Sequence, residues 1–328
     1  MKLLLLFSQQ IGLLAFLGCL ACSTSSSTSD ATPLQQIDQV EAFSLLGTEL
    51  RTIPDSEATF RKKDSLLAIA RSNFDNSPSL EHAIWFGRRT AYLSHYQEAI
   101  DIFSQAMEKY PDSPELYRHR GHRYISIRKF DEAISDLQRA VTLAEGRPIE
   151  IEQDGLPNKL NIPLSSLQFN IWYHLALAQY LQADFAEAAT SWEQCMKVST
   201  NPDLLCATTD WLYMTYRRLG REAEAAQLLE GILPDMEIIE NNAYHNRLLM
   251  YKGMKQPEDL LDFANPDAEE RIKIVTQGYG VGNWFLYNGD QAKAFEIFKQ
   301  VTQSGYWSAF GYIAAEAEVF HLQNHSIN

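Results

Sequence analysis

Ten residues at positions 116–125, LYRHRGHRYI, contain three arginines and two histidines, although the whole chain has a net charge of −14. Arginine guanidinium groups bind carboxylates and phosphates through paired hydrogen bonds, and histidine changes its charge near neutral pH. On a helix, Arg118 and His122 share one face because they are four positions apart. The segment therefore predicts a surface for an anionic or carboxylate-bearing ligand. The structural alternative is that Arg120 pairs with an internal acid and joins neighbouring helices.

The segment lies in the second of two similar stretches with a constant offset. A 34-residue period is typical of the tetratricopeptide repeat, and the chain resembles proteins built from this repeat, in which each unit is a pair of antiparallel helices. Small residues let the two helices approach closely, and an aromatic side chain fills the seam between units. The pairs that share this offset are Gly87 with Gly121, Tyr96 with Phe130, Ala99 with Ala133, Ile100 with Ile134, and Ala106 with Ala140.

The pattern continues with interruptions. The step from Ala133 to Ala188 is one period plus a 21-residue insertion. Ala225 follows after slightly more than one period, and Ala294 after about two, which leaves room for one degenerate repeat. We predict an all-α fold, a right-handed α-solenoid of tetratricopeptide-like helix pairs with a 21-residue irregular insertion. Its predicted parts are the solenoid at 36–322, clear repeats at about 80–113, 114–147, 169–202, 206–239 and 275–308, the insertion at about 146–166, and a tail at 323–328.

The insertion is the least repeat-like stretch of the sequence. Three prolines, the alternating IEIE and the turn at Asp154-Gly155 predict an extended strap or a short hairpin. Three hypotheses remain open for it: a lid over the groove, an element that recognises a partner, and a plain surface excursion. Glu150, Glu152 and Asp154 do not match a calcium-binding loop.

The resemblance implies which residues line a concave groove. In a tetratricopeptide solenoid the first helix of each repeat faces the groove, and one helical stripe of residues recurs there. The chaperone-clamp version of this groove requires residues that the chain lacks at three of four positions, so that function is not predicted. The predicted groove residues are Arg88, Arg118, His122, Asn170, Tyr173, Tyr180, Asp210, Met214, Arg217, His245, Tyr279 and Asn283.

The N-terminal segment at 1–22 indicates export. A lysine precedes a short apolar run that is typical of a secretory signal, and LGCLAC resembles the lipobox of bacterial lipoproteins. We therefore expect a lipoprotein signal peptide at 1–21, lipidation of Cys22, and a Ser/Thr-rich tether at 22–35. Plain secretion is the alternative. Cleavage would remove Lys2 and leave 27 basic and 42 acidic side chains, a net charge of −15 that argues against a nucleic-acid partner.

Two cysteines, Cys195 and Cys206, fall within the repeat region. Two cysteines are too few for a fold framed by disulfides. Cys195 lies in the helix-packing register of the repeats, which favours a buried free thiol. A disulfide between the two cysteines is the alternative.

Signs of catalysis are weak. GYGVGNW departs from the dinucleotide-binding spacing and has no βαβ unit around it, and arginines flank the histidines of His119-x-x-His122 and repel a metal ion. We predict no enzyme activity, no cofactor and no metal. The alternative function is a closed pocket that binds or processes a small anionic ligand, with His122, Tyr173 and His245 as acid or base groups.

The main hypothesis is a binding module, a lipid-anchored tetratricopeptide protein of the bacterial cell envelope, periplasmic or surface-exposed. It would act as an adaptor or scaffold that holds a protein or peptide segment in its groove. Bacterial lipoproteins of this architecture suggest envelope-assembly or peptidoglycan-processing proteins as partners, by analogy only. The combination of RRTAYL, LYRHRGHRY, NIWYHL and GYGVGNW also resembles one group of bacterial tetratricopeptide proteins with no assigned activity, so that resemblance implies the fold alone.

Overall fold

The computed structural model describes residue 36 and residues 38–261 and 268–325, apart from the side chains of 268–273 and 324–325. The predicted signal peptide at 1–21, Cys22 and most of the tether at 22–35 lie outside the described residues, as do the last residues of the predicted tail. Among the described residues, no helix combines the length and the apolar character that are needed to cross a membrane.

The described residues form a short β-hairpin followed by thirteen α-helices, which confirms the all-α prediction. Two short 3-10 turns, at 229–231 and 257–259, interrupt the helical order. The elements are β1 (Val40–Phe43), β2 (Glu49–Arg51), α1 (Glu57–Asn76), α2 (Leu80–Tyr92), α3 (Tyr96–Lys109), α4 (Pro114–Ser126), α5 (Phe130–Ala144), α6 (Leu167–Leu181), α7 (Phe185–Lys197), α8 (Pro202–Arg218), α9 (Glu222–Leu228), α10 (Asn242–Tyr251), α11 (Ala268–Tyr287), α12 (Gln291–Thr302) and α13 (Phe310–His325).

Glycine sets the distance between the two helices of a repeat. In three repeats, a glycine of the first helix faces a large side chain of the second helix at the same sequence offset, with no room left for a Cβ atom. Gly282, in the glycine-rich segment GYGVGNW, is one of these three glycines and so packs as a repeat glycine. A Cβ atom would lie 2.4 Å from Phe103 if built on Gly87, 2.8 Å from Leu137 if built on Gly121, and 2.6 Å from Phe298 if built on Gly282.

The turn inside each helix pair has a fixed conformation. One residue in each turn has a positive φ, and it always lies five positions before the small alanine of the second helix. The alanines themselves are fully buried. Because turn and alanine keep one register across the chain, the interruptions counted from the sequence fall between repeats and not within them. The turn residues are Ser94, Arg128, Ala183, Gly220 and Gly289.

The degenerate repeat keeps its first helix, α10. Gly253 follows α10 with φ +75°, as expected for the turn. Between Gly253 and α11, however, the described residues form only the 3-10 turn at 257–259 in place of a full second helix. Pro257 is the first residue of that turn. This repeat is therefore the one in which the helix-pair pattern is least complete among the described residues.

The N-terminal part of the predicted solenoid, which starts at about residue 36, is not helical throughout. The first helix begins at Glu57 and is preceded by the antiparallel strands β1 and β2. Glu41 explains why the hairpin belongs to the fold. Its buried carboxylate accepts hydrogen bonds from the backbone N–H groups of Tyr96 (2.7 Å) and Gln97 (3.0 Å). Since His95 provides no side-chain cap for α3, the hairpin satisfies the free N–H groups of that helix from a distance.

The last helix, α13, joins the two ends of the described array. Its Glu316 forms a buried ion pair with Arg128 in the turn between α4 and α5, and also accepts a hydrogen bond from the backbone N–H of Leu45 beside the hairpin (2.8 Å). Just before α13, the indole of Trp307 donates to the carbonyl of Arg51 (2.6 Å). The helical array therefore curls until its first and last described segments are in contact.

Candidate functional site

The candidate site lies where α2, α4 and the insertion meet, and we call residues 146–166 the strap. Helix α4 is fixed in place by its cap and its packing: Ser113 accepts from the N–H of Leu116, Pro114 occupies the first turn, and Gly121 packs directly on α5. Because α4 is held in this way, Arg118 and His122 have defined positions beside the strap.

Two arginines of α2 hold the strap. Arg88 donates from Nη2 to the carbonyl of Gln153 (2.8 Å), and Arg89 donates from Nη1 to the carbonyl of Gly155 (2.9 Å). Gly155 approaches Tyr92 so closely that a Cβ atom there would lie 1.8 Å from the phenol oxygen. The strap therefore crosses α2 in a defined position, and the prediction of an extended segment agrees with its single bridge between Ile151 and Ser166.

Glu152 connects the strap to α4 and α6. Its carboxylate lies 3.1 Å from Nη2 of Arg118, accepts from Nδ2 of Asn170 (2.9 Å) and lies 3.5 Å from Nε2 of His119. Arg118 also donates from Nη1 to Nδ1 of His119 (2.7 Å). Arg118, His119 and Asn170 are all buried. One strap carboxylate therefore contacts two first helices of successive repeats.

Beside this contact, α2, α3 and α4 enclose a cavity of about 120 Å³. Three guanidinium groups line it. Burial and, to a smaller extent, the charges of Arg118 and Arg88 lower the pKa of Arg123 to about 10. Burial also lowers the pKa of Arg118, against the effect of Glu152. The cavity is thus strongly cationic in a chain that is acidic overall. Its lining residues are Arg88, Ala91, Tyr92, Phe103, Arg118, His119, His122 and Arg123.

Three histidines near the cavity are neutral at neutral pH. Burial lowers the pKa of His119, His122 and His174 well below the usual value, and the neighbouring Arg118 and Arg123 lower it further. Neutral imidazoles can donate and accept hydrogen bonds without adding charge. No group of three or more histidine, cysteine, aspartate or glutamate side chains among the described residues is arranged to hold a metal ion.

The predicted open groove is filled by the chain's own C-terminal helix. Phe310, the first residue of α13, has its ring centroid 5.3 Å from that of His122, 5.6 Å from that of His174 and 6.3 Å from that of Tyr173. His122 and Tyr173 are predicted groove residues, and His174 is their neighbour. The prediction of an accessible groove along them is therefore wrong, because α13 covers it with apolar contacts that the repeat pattern does not reveal.

Several predicted groove residues are core residues instead. Asp210 is fully buried and forms a two-pronged ion pair with Arg247, with atom separations of 2.6 and 2.9 Å. His245 is buried and lies 2.8 Å from the carbonyl of Leu233 through Nε2. Arg217 is half-buried at the edge of α8, with its guanidinium 4.4 Å from the ring centroid of Tyr287.

Tyr279 and Asn283 belong to a buried network that holds α13. The hydroxyl of Tyr279 donates to that of Tyr180 (2.6 Å), and Nδ2 of Asn283 donates to the same oxygen (2.9 Å). Arg218 pairs with Glu318 of α13 and also donates to Asn283. The groups of this network stabilise the contact of α13 with α6, α8 and α11 and are not available to a ligand. Met214, another predicted groove residue, is also fully buried.

The three proposed acid or base groups do not converge. His122 lines the cavity, whereas the Tyr173 hydroxyl is hydrogen-bonded to Tyr244 (3.0 Å) and His245 is bonded to the backbone. Burial raises the pKa of Tyr173 well above its usual value. The structure therefore brings Arg88, Arg118, His122 and Asn170 together around the strap, and separates them from the rest of the predicted set.

The sequence analysis missed Arg123 and His119 as cavity residues and Glu152 as the partner of Arg118 and His119. Arg123 and His119 form a second pair four positions apart beside Arg118 and His122, so a wider stripe on α4 would have included them. Arg120 is the structural arginine of the segment, because it forms a two-pronged pair with Asp136 of α5 (2.7 and 2.8 Å). Its partner confirms the structural alternative for that residue.

A comparison with protein families matches residues 64–113 to the tetratricopeptide repeat. The match covers the end of α1 and the α2–α3 pair, in which Gly87 contacts Phe103. Residues 64–113 are thus similar to a tetratricopeptide repeat. Tetratricopeptide folds are in general protein-interaction scaffolds that bind protein or peptide partners, and they are typically non-enzymatic. The α2–α3 half of the candidate cavity lies in this repeat.

Solved tetratricopeptide structures are only distantly similar. The crystal structure of YrrB, described as a TPR protein with an unusual peptide-binding site, is 12% identical, covers 72% of this chain and 92% of its own, and has a TM-score of 0.39. MamA from AMB-1 is 17% identical and covers 53% of this chain and 90% of its own, also with a TM-score of 0.39. Because these TM-scores are low, we infer neither a ligand nor an assembly of this chain from the two structures. No curated protein matches the sequence.

Proposed function

We propose that the protein is a lipid-anchored scaffold of the bacterial cell envelope that binds a protein or peptide partner through its strap. The tetratricopeptide repeat supports the scaffold role, and the lipobox-like LGCLAC supports the anchor. The strap takes the place of the concave groove in this proposal, because α13 fills the groove. Envelope-assembly and peptidoglycan-processing proteins remain the partner classes, by analogy with lipoproteins of the same architecture.

The observation that carries the proposal is the apolar surface of the strap. Five large apolar side chains of this short segment are each at least 46% exposed. Concentrated exposed apolar surface on one segment is typical of a protein interaction site. These side chains are Ile149, Ile151, Leu156, Leu160 and Ile162, with exposed fractions of 49, 55, 64, 60 and 46%.

A cavity of about 340 Å³ between α1, α2 and the strap gives this surface a chemical preference. Leu156 forms one wall, and Lys62, Lys63 and Arg89 line the opposite helices. Basic side chains beside an apolar wall suit a partner segment that carries apolar and acidic residues together. We therefore expect the bound segment to be apolar with at least one acidic side chain.

The partner is tested by in-cell crosslinking and detergent pull-down of the full-length protein, followed by a binding measurement with the purified candidate. The Leu156→Ser/Leu160→Ser variant removes strap contacts without touching the core. Leu233→Ser/Met254→Ser is the matched control, since Leu233 and Met254 are 54 and 56% exposed but lie outside the strap. A partner that is kept by the control and lost by the strap variant supports the proposal. Equal binding by both variants would exclude the strap as the contact surface.

The anchor is tested by metabolic labelling with a palmitate analogue. Cys22→Ser is expected to abolish labelling, whereas Cys19→Ser, a change of the neighbouring cysteine of the same segment, leaves it intact. Labelling that survives Cys22→Ser, or its absence in the wild type, contradicts lipidation at Cys22. Release of the Cys22→Ser protein into the soluble fraction is the expected consequence for location in the cell.

The alternative function, a pocket for a small anionic ligand, is favoured by the narrow cationic cavity under the strap. A long open channel would suit a peptide, whereas a cavity of about 120 Å³ suits a small molecule. The separation of His122 from Tyr173 and His245 favours binding over processing. The two functions are compatible, because the apolar side chains of the strap and the cavity arginines are different residues.

A further inference from the structure

We propose that the cavity lined by Arg88, Arg118 and Arg123 is a binding site for a phosphate-class dianion, either inorganic phosphate or the phosphate end of a small monoester. The proposal rests on the alternative function above, a pocket for a small anionic ligand, and names its ligand class; it is independent of the proposed partner surface and of the lipid anchor. Three features of the cavity support it: its charge, an unsatisfied donor and its size.

Charge is the first feature. Of the three cavity arginines, Arg118 has a carboxylate partner, Glu152 at 3.1 Å. Within the described part of the chain, Arg88 contacts a backbone carbonyl, the Tyr92 hydroxyl and the Trp85 ring, and forms no ion pair. The cavity therefore has two guanidinium groups that lack a carboxylate partner, and a dianion would neutralise them.

Arg123 is the more unusual of these two. It is half-buried, its guanidinium lies 5.2 Å from the centroid of the Tyr96 ring, and no ion pair to a described residue accompanies it. A partly desolvated cation without a counter-charge is costly for the folded protein. A bound anion would offset this cost.

Asp154 is the strap carboxyl that could offset this charge, but it does not pair with the arginines. Burial raises the pKa of Asp154, although the charge of Arg88 acts in the opposite direction. Its Oδ2 atom is buried without a hydrogen-bond partner among the described residues. Glu152 is shared between Arg118 and Asn170, so Arg88 and Arg123 gain no ion pair from either of these strap carboxyl groups.

An unsatisfied donor is the second feature. Arg118 is buried, and its Nε–H has no acceptor in the part of the structure that is described. A buried donor without an acceptor destabilises the folded protein, and a bound oxyanion would relieve that cost. Guanidinium groups bind tetrahedral oxyanions through paired hydrogen bonds, and phosphate offers enough oxygens for several such groups at once. Neutral His122 provides one further hydrogen-bonding group on the same wall.

Size is the third feature. A dry cavity of about 150 Å³ accommodates benzene, so a cavity of about 120 Å³ accommodates a phosphate group but no nucleotide. The half-buried Arg88, His122 and Arg123 leave an opening to solvent. A monoester would therefore place its phosphate in the cavity and its remaining atoms outside.

The test is isothermal titration calorimetry on the full-length protein in detergent at pH 7.5. The injected solutions are inorganic phosphate, glycerol 3-phosphate, acetate, and sodium chloride at matched ionic strength. Both phosphates are expected to bind with a Kd at least tenfold lower than that of acetate, and chloride gives no saturable heat. Tighter glycerol 3-phosphate binding identifies a monoester as the preferred source, and tighter inorganic phosphate binding identifies the free ion. Acetate binding equal to or tighter than phosphate overturns the dianion proposal.

Two variants locate the site. Arg123→Gln is expected to weaken phosphate binding at least tenfold. Arg217→Gln is the matched control. Like Arg123, Arg217 is half-buried, lies over a tyrosine ring and has no carboxylate partner among the described residues, but it lies on α8 and not beside the cavity. It is expected to bind phosphate as the wild type does. Unchanged binding in Arg123→Gln overturns the proposal; if circular dichroism shows that this variant is unfolded, Arg88→Gln is judged by the same tenfold criterion.

Discussion

Arg128 and Glu316, which are far apart in the chain, form an ion pair with a separation of 2.8 Å and side chains that are only 3 and 1% exposed. Arg128 is the left-handed turn residue between α4 and α5, and Glu316 lies on α13. Arg128 also donates to the carbonyl of Trp307 (2.8 Å). This pair ties the turn of a repeat to the helix that fills the groove, so it contributes to the closed form of the array.

Replacement of Glu316 by glutamine should destabilise the protein strongly. The change leaves the Arg128 guanidinium buried without a counter-charge, which costs about 3–5 kcal/mol in comparable sites. Urea denaturation followed by circular dichroism measures the loss. Asp112→Asn is the control, since its pair with Arg139 is exposed (79 and 46%) and contributes at most about 1 kcal/mol. Similar losses in the two variants would show that the closing contact is not important for stability.

Replacement of Gly87 by alanine should also destabilise the fold. The new Cβ would lie 2.4 Å from the Phe103 ring, and overpacking of this kind costs about 1–3 kcal/mol, more than the gain of up to about 1 kcal/mol from helix propensity. The free energy of unfolding is measured in urea. Gly231→Ala provides the comparison, because no atom lies within 4 Å of its added Cβ and its φ is not positive. A Gly87→Ala protein as stable as the wild type would contradict the close packing of α2 on α3.

Stability should fall as the pH is lowered through the histidine range. His119, His122 and His174 have lowered pKa values in the folded protein, because burial and the nearby arginines disfavour the charged ring. The unfolded chain binds their protons below about pH 6.5 while the folded chain does not, so acidification favours unfolding. Each histidine contributes up to about 1.4 kcal/mol per pH unit in that window.

The measurement is the free energy of unfolding between pH 7.5 and pH 5.5. Loss of stability on acidification is expected, with a shallower slope for His119→Gln because one of the three rings no longer takes up a proton. Stability that stays constant or rises towards pH 5.5 would mean that the folded protein takes up protons at least as readily as the unfolded chain, which contradicts the lowered pKa values of these rings.

Cys195 and Cys206 should resist thiol reagents in the folded protein. Both are buried and free, as the register of Cys195 predicted, and burial raises the pKa of each thiol to about 12. Since the thiolate is the reactive form, labelling at pH 7.5 should be negligible until urea unfolds the chain. Peptide mapping by mass spectrometry scores each cysteine by position. Rapid labelling of either one before unfolding would contradict its burial.

Local patterns in the sequence were enough to predict the repeats. Gly87, Gly121 and Gly282 occupy one position in the register because a large side chain of the second helix packs directly against each of them, and such a requirement is local and periodic. The hairpin was missed because its role depends on a distant contact: Glu41 satisfies N–H groups of α3 that the sequence around α3 leaves uncapped. Short strands carry too weak a pattern to be separated from the flanking helices.

The candidate site was predicted in part for the same reason. Arg118 and His122 were found because their spacing places them on one helix face, whereas Glu152 approaches them from a strap with no periodic pattern of its own. Thus the sequence alone determined the helix pairs, their register and the cationic face of α4, because neighbouring residues enforce these features. Only the tertiary structure decided that α13 fills the groove and that the strap closes over the arginines, because contacts such as Arg128 with Glu316 join residues whose proximity no local pattern encodes.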